Sequence, residues 1–423
     1  MQSHISLDFV YPSLMEESLK LLETNYLFDK KLSFKRYDHC YALPAREVSN
    51  ANGERCLGGG LYHDGEWVYN SGLNIHSLTP YEFDKQDVEY IDDDVIFLGA
   101  TSAIWGHTIT DGLQHVWWFQ TECYLKEYRD KPIYYWGEKR LKGNYLELYK
   151  LAGIDISRLR FIDHKILFKS IIVPDSSFVS CYPTGTHYFR EYLYSIDHII
   201  SNCKIENTFE KKILFSEKQN SRNWGINEIE CIAKGAGYFI VYPEEHSLQE
   251  QISFLQSADE VMSFESSVGH NIIFCKPGTH ITILRKANYV NIYQVLINKI
   301  RDFNINVVDV HLSIMNNERF PYAGPFFVYA NSSFCQLLDS KATSFPWHLF
   351  KKYIQYCLND TPQNLSSRLF FPEEYRRILS NEIQTYKDAL FSKLSSFSII
   401  PCPKSTKQRI ISKFVKNRIR HLI

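Results

Sequence analysis

Apolar and polar positions alternate most regularly between residues 213 and 285. Short apolar, β-branched or aromatic runs at 213–216, 238–242, 260–264 and 280–284 are separated by segments of helical period. The spacing predicts a helix over 227–234, closed by Gly235 and Gly237, since glycine tolerates the backbone conformation just past a helix end. A second helix is predicted from Ser247, which forms a capping box with Glu250 three residues on. A third follows the loop 265–271. Alternation of this kind builds a parallel sheet with helices on its faces.

The first half carries a weaker version of the same pattern. Strands are expected at 95–99, 132–136, 159–162 and 166–173, with helices over 144–151, stopped by Gly153, and over 187–203. Beyond 285 the pattern gives a helix over 293–303, a strand over 307–311, aromatic loops at 319–329, and helices near 345–358 and 373–396. Residues 1–90 look irregular except for a hairpin within 58–69 that turns at Asp64-Gly65. The polar stretch 204–212 serves as the domain boundary. The expected division is an N-terminal α/β domain over 1–203, a second α/β domain over 204–335, C-terminal helices over 336–403 and a tail over 404–423.

Composition narrows this only a little. A chain of 423 residues is long for one core and suits two domains. Its 44% hydrophobic and 22% charged residues are ordinary for a globular protein. A net charge of −1 offers no whole-chain attraction for nucleic acid. The ten cysteines show no C-x-x-C pair and no metal-ligand spacing, so they read as reduced core residues. The N-terminus has neither the basic segment nor the apolar core of a signal peptide, and no run of about 18 apolar residues occurs, so a cytoplasmic protein is expected. The tail differs in character. From Lys404 it carries seven cations and no acid, with Ile411, Val415, Ile419 and Leu422 on one helical stripe. That pattern fits a membrane-surface helix and equally a terminal helix docked by its apolar stripe.

Candidate chemistry sits at the predicted strand ends, where parallel sheets bind ligands. The loop Glu265, Ser266, Ser267, Val268, Gly269, His270, Asn271 follows a strand and opens a helix, so its N–H groups and hydroxyls suit a phosphate. The alternative is that Ser266 and Ser267 only cap the helix. Lys218 and Arg222 lie at another strand end and offer cations to the same ligand. The glycines at 58–60 lack the spacing of a phosphate loop. Asp92, Asp93 and Asp94 read as a solvated turn rather than a metal site. In the stretch 105–119, apolar residues recur at helical spacing and place His107, Asp111 and His115 on one face. A histidine and a carboxylate one turn apart can act as a general-base pair, or can simply cap and brace the helix.

Taken together, these residues resemble glycosyltransferase family 61. The resemblance rests on Ser216, Arg222, Asn227-Glu228, Pro243-Glu244, Ser247, Glu250-Gln251, Asn271, Phe274 and Pro277-Gly278-Thr279 in that order, and on His107, Asp111 and Leu113 upstream. It implies two Rossmann-like domains facing across a cleft, the GT-B arrangement, with the final helices crossing back onto the N-terminal domain. It implies an inverting transfer from a nucleotide sugar to a glycan or lipid-linked acceptor, without a catalytic metal or a further cofactor. Bacterial capsule or lipooligosaccharide synthesis is the setting expected from it. His107 or Asp111 would be the base or its orienter. Ser216, Lys218, Arg222, Asn227, Glu265, Ser266, Ser267, Gly269, His270 and Asn271 would line the donor, with Glu244 and Glu245 near ribose or sugar hydroxyls. Two positions depart from the family pattern. Glu217 stands where Arg is common, and Glu265-Ser266-Ser267 where H-G-A is common. Carboxylates are poor neighbours for a diphosphate, so either Lys218 compensates or the donor differs. The same departures suit a non-catalytic glycan- or partner-binding scaffold, and transfer of a sugar phosphate is a further alternative.

Overall fold

The computed structural model describes residues 4–49, 55–68, 81–137, 139–180, 185–206, 210–218, 222–301, 303–313, 315–317, 324–341, 344–359 and 367–369. Over these the chain is a mixed α/β protein built on two principal sheets. The expected tail 404–423 and the helix near 373–396 lie outside the described residues.

The second half of the chain forms a six-stranded sheet in the order His4–Phe9, Asn304–Asp309, His280–Arg285, Glu260–Phe264, Lys212–Phe215, Phe239–Val241. Every neighbouring pair is parallel. Its strands read as near-continuous apolar runs because helices cover both faces. The four predicted strands between 213 and 285 and the first two helices all occur. The helix Ile226–Gly235 ends at Ala236-Gly237, and Leu248–Ser257 carries the full capping box of Ser247 and Glu250. Where a third helix was expected after 265–271, a six-residue 3-10 turn, Gly269–Phe274, forms instead. The edge strand His4–Phe9, counted with the first half in the sequence, joins this sheet through Asn304–Asp309.

The first half forms a seven-stranded mixed sheet in the order Glu66–Trp67, Arg55–His63, Phe34–Ser49, Ile166–Pro174, Glu89–Thr101, Ile133–Gly137, Leu159–Phe161. Four of these strands are parallel, from Ile166–Pro174 to Leu159–Phe161, and three antiparallel strands extend the sheet. The hairpin turning at Asp64-Gly65 is present, with both residues at positive φ (51° and 82°) as a tight two-residue turn requires. The strand Phe34–Ser49 is absent from the sequence reading, because its half-exposed, charge-bearing positions hide the period-2 signal.

Three expectations change. Asp92, Asp93 and Asp94 are not a turn but lie within Glu89–Thr101, at a register irregularity between Ile91 and Asp94. Their carboxylates pair with Lys169, Lys131 and Arg36 respectively. The expected helix over 187–203 begins as a strand, Thr186–Phe189, whose β-branched and aromatic residues pair with Phe178–Ser180 and Leu27–Phe28 before the helix Arg190–Asn202 starts. The continuous helix over 105–119 is broken into Trp105–Ile109 and two 3-10 turns, Asp111–Leu113 and Val116–Gln120. Thr110, at φ −87° and ψ −94°, marks the break.

One core runs between the two sheets. Ile109, Leu113 and Phe119 belong to the same buried cluster as Ile252, Ile272, Leu296 and Phe303. Asn144 ties the halves by polar contacts too. Its side-chain oxygen accepts from Leu248 N at 3.0 Å, adding a second cap to that helix, and its amide donates to His246 O at 3.0 Å. The helix Trp347–Asn359 packs through Phe350, Tyr353 and Cys357 on Tyr11, Leu312, Phe327 and Tyr329.

Candidate functional site

The loops that leave Glu89–Thr101 in one sheet and Glu260–Phe264 in the other meet at their carboxyl ends. Trp105 Nε1 donates to Asn271 Oδ1 at 2.7 Å across this junction. Two glycines make the approach possible. A Cβ on Gly106 would stand 2.9 Å from His270 Nδ1 and 3.0 Å from Ser267 Oγ. A Cβ on Gly269 would stand 2.5 Å from Phe264 O and 2.6 Å from Gln294 Oε1. Neither position admits a side chain without moving backbone or a packed neighbour.

His107, Asp111, Ser267, His270 and Asn271 are thereby gathered at one place. His107 Nδ1 lies 3.9 Å from Asp111 Oδ1, close enough for charge attraction but too far for a hydrogen bond. Asp111 is fully buried; its Oδ1 accepts from Thr110 Oγ1 at 2.6 Å, while Oδ2 has no hydrogen-bond partner among the described residues. His107 stays 19% exposed and packs edge-on against Tyr293, ring centroids 5.3 Å apart. His270 approaches the same Tyr293 ring at 6.3 Å. Burial, and then the neighbouring His107, push the His270 imidazole down to about 4, so it is neutral at physiological pH. Its Nε2 and the Asn271 amide nitrogen are buried without hydrogen bonds among the described residues. Buried polar atoms left open beside a partly exposed histidine mark a place that a polar ligand can complete.

His115 does not share this face. The break at Thr110 voids the i, i+8 spacing, and His115 is fully buried beneath Gly99 with its ring 6.0 Å from that of Phe97. Burial pushes its imidazole down to about 3. It is a core residue.

The residues expected around a donor split into two sets. Ser216 is buried and donates to Glu230 at 2.7 Å, a carboxylate that also accepts from Tyr242. Lys218 pairs with Glu245 at 2.5 Å on the exposed rim, so the first of the two alternatives for Glu217, compensation by Lys218, is not what the structure shows. Asn227 and Glu244 are exposed, the first in the opening turn of Ile226–Gly235 and the second in the 3-10 turn Pro243–Glu245. Arg222 is exposed, and its carbonyl accepts from Phe326 N at 2.7 Å.

The cations that pair with the two unusual acidic side chains are Lys286 and Arg285, which the sequence reading missed. Lys286 Nζ donates to both oxygens of Glu217, at 2.8 and 2.6 Å. Arg285 lies 3.2 Å from Glu265 and 3.3 Å from Asp309, all three side chains nearly sealed from solvent. Burial works against the Glu217 carboxylate, yet Lys286 holds it below the ordinary carboxylate range. For Glu265 burial wins over Arg285, and its carboxyl is pushed up to about 7. The signal available in sequence was a pair of consecutive cations ending the apolar run 280–284. Glu217, Ser266 and Lys286 meet where the connections from Lys212–Phe215 and Glu260–Phe264 run off in opposite directions, the usual ligand crevice of an open parallel sheet.

The junction residues, from Trp105 to Asn271, fall within one recognisable segment, while Arg285, Lys286 and Asp309 lie beyond its end. The glycosyltransferase 61 family model matches residues 105–282. No curated protein matches the chain. The match spans both loops of the junction, so the glycosyltransferase 61 likeness covers His107 and Asp111 as well as the loop 265–271. It supports a sugar transferase, which must bind a sugar donor and an acceptor. Among the described residues no cluster of three His, Cys, Asp or Glu side chains is suited to hold a metal ion, and no helix is long and apolar enough to cross a membrane.

Proposed function

We propose that the protein transfers a sugar from a nucleotide-sugar donor to a hydroxyl of a glycan or lipid-linked saccharide, with inversion and without a catalytic metal. The observation that carries this reading is the junction itself: the His107–Asp111 pair from one half meets His270 and Asn271 from the other, inside the segment that matches glycosyltransferase 61. Deprotonation of the acceptor hydroxyl requires a base held beside the donor carbon. His107, partly exposed and backed by the buried Asp111 carboxylate, suits that role. The leaving diphosphate requires cations and N–H groups, a part that Lys286, Arg222 and the loop at Ser266 would play in this reading. In this reading the two sheets belong to facing Rossmann-like domains of the GT-B kind. The protein then acts in surface polysaccharide synthesis at the cytoplasmic face of a bacterial membrane, with 404–423 as its contact to that surface.

A second reading draws on the two carboxylates. Glu217 and Glu265 stand in the crevice that a diphosphate would use, which suits a transferase-like scaffold that binds glycan or a partner enzyme without catalysis. One experiment separates the two. The protein is incubated with a panel of nucleotide sugars and oligosaccharide acceptors, with and without EDTA, and products are read by mass spectrometry and anomeric NMR. Transfer with inverted configuration, unchanged by EDTA, is the expected result. Absence of transfer from every donor, together with no thermal stabilisation by any nucleotide, would favour the scaffold.

A further inference from the structure

The Glu217 carboxylate occupies a cradle of donors drawn from separate strand ends. Lys286 Nζ donates to Oε1 at 2.8 Å and to Oε2 at 2.6 Å; Asn223 Nδ2 donates to Oε2 at 2.8 Å; Ser266 Oγ donates to Oε1. Lys286 follows His280–Arg285, Ser266 follows Glu260–Phe264, and Glu217 itself follows Lys212–Phe215. An ammonium, a hydroxyl and an amide N–H converging on two oxygens at the carboxyl ends of parallel strands is a donor set built for an oxyanion. Here the oxyanion is the protein's own. The Glu217 side chain is 18% exposed and the Lys286 side chain 8%, so the carboxylate is the more solvent-accessible of the pair. Lys286 Nζ also stands 4.7 Å from the centroid of the Phe326 ring, a second contact for the ammonium that does not involve the carboxylate.

We propose that Glu217 is a displaceable internal anion, and that a phosphate of a diphosphate ligand binds by exchanging with it at Lys286, Ser266 and Asn223. A phosphate brought onto this ammonium competes with Glu217 for the same N–H donors and repels it at close range, so the incoming phosphate turns Glu217 toward the solvent it already touches. The exchange keeps Lys286 paired at every stage, which avoids leaving a bare buried cation in the unliganded protein. It also selects for charge. Each phosphate of an intact nucleotide sugar carries a single charge, like the carboxylate it evicts, whereas the terminal phosphate of a released nucleoside diphosphate or of pyrophosphate approaches two and gains more from the ammonium. Only the choice of a diphosphate rests on the nucleotide-sugar reading above; the cradle itself does not.

Calorimetric titration of the full chain with inorganic pyrophosphate tests the exchange. Glu217→Gln keeps the shape and removes the competing charge, and is expected to tighten pyrophosphate binding at least tenfold. The double variant E217Q/K286M removes both charges together, leaving no lone buried ion, and is expected to melt near the wild type and to bind no pyrophosphate. Equal or weaker binding by E217Q, retained binding by the double variant, or no binding by any form overturns the exchange. Sugar transfer is read in parallel. Transfer by the wild type with unaltered pyrophosphate affinity in E217Q sinks the exchange and leaves the transferase standing. Tighter pyrophosphate binding by E217Q in a protein that transfers no sugar keeps the exchange and sinks the transferase.

Discussion

Trp105 and Asn271, 166 residues apart, share a 2.7 Å hydrogen bond that joins the loop after Glu89–Thr101 to the loop after Glu260–Phe264. The indole also meets Tyr145 edge-on at 5.3 Å, and Tyr145 OH donates to Ala103 O, so the donor side of the bond is braced from behind. Trp105→Phe keeps the ring packing and deletes the bond. It should lower unfolding free energy by about 1 kcal/mol in a denaturant titration, the usual net worth of one neutral hydrogen bond. If the junction is the working cleft, the variant should also lose about tenfold in transfer rate, since small misplacements across a cleft weaken catalysis more than binding. A stability loss with an unchanged rate would place this bond outside the reaction.

The His107–Asp111 pair carries the sharpest kinetic expectation. His107→Asn removes the base, and Asp111→Asn removes the buried charge while keeping the acceptor from Thr110 Oγ1. Each should lower transfer about 10²–10⁴-fold, the span of general-base catalysis, with nucleotide binding little altered. Because the two act as one unit, the double variant should be scarcely slower than the worse single one. Losses that multiply would show two independent roles.

The legible part of this chain was the part where local rules agree with one another. Ser247 with Glu250, the glycine stops at 235 and 237, and β-branched strand runs all point to one alternating pattern, and the second sheet follows it. The helix over 105–119 failed because apolar residues at helical spacing fit a broken chain of 3-10 turns equally well; only the backbone at Thr110 distinguishes them. The 1–90 region failed because Phe34–Ser49 pairs on both edges yet leaves many side chains half exposed, so its polar residues mask the strand. In the site, His107, Asp111 and Asn271 could be picked out from spacing and resemblance. The partners of Glu217 and Glu265 could not, since which cation reaches which carboxylate depends on strand order, with Lys286 lying 69 residues from Glu217 and Arg285 20 from Glu265.

Glu265 gives a pH dependence of unusual sign. Its carboxyl lies at about 7 in the fold because burial outweighs Arg285, against an ordinary value near 4.5 when unfolded. Between those values the native state holds the proton more tightly, so stability falls as pH rises through this window and levels off above it. Glu265→Gln mimics the protonated form and should remove this component. The difference in unfolding free energy between variant and wild type should therefore move in the variant's favour by about 3 kcal/mol from pH 4.5 to pH 8. A difference that stays flat across that range would show that Arg285 keeps Glu265 ionised throughout.

His270 works in the opposite direction. Burial, and then the charge of His107, lower its imidazole to about 4, with Gly106 and Asp111 only partly opposing. The unfolded chain takes up the proton near pH 6.5 and the native one does not until about 4, so stability is lost as pH falls through that interval. Replacing His270 by Gln removes the titrating group while keeping a neutral polar side chain. At pH 7.5 the variant should lie within about 1 kcal/mol of the wild type, as a change that costs no more than one buried contact. Between pH 6.5 and 4 its stability should fall less than that of the wild type, by about 1.4 kcal/mol for each unit of the lowered pKa. His115, pushed down to about 3 in the core, remains in both proteins, so an acid-side slope survives in the variant, only shallower. Matching slopes in the two proteins would mean that His270 titrates in the fold as it does in the unfolded chain, so that burial does not hold it neutral.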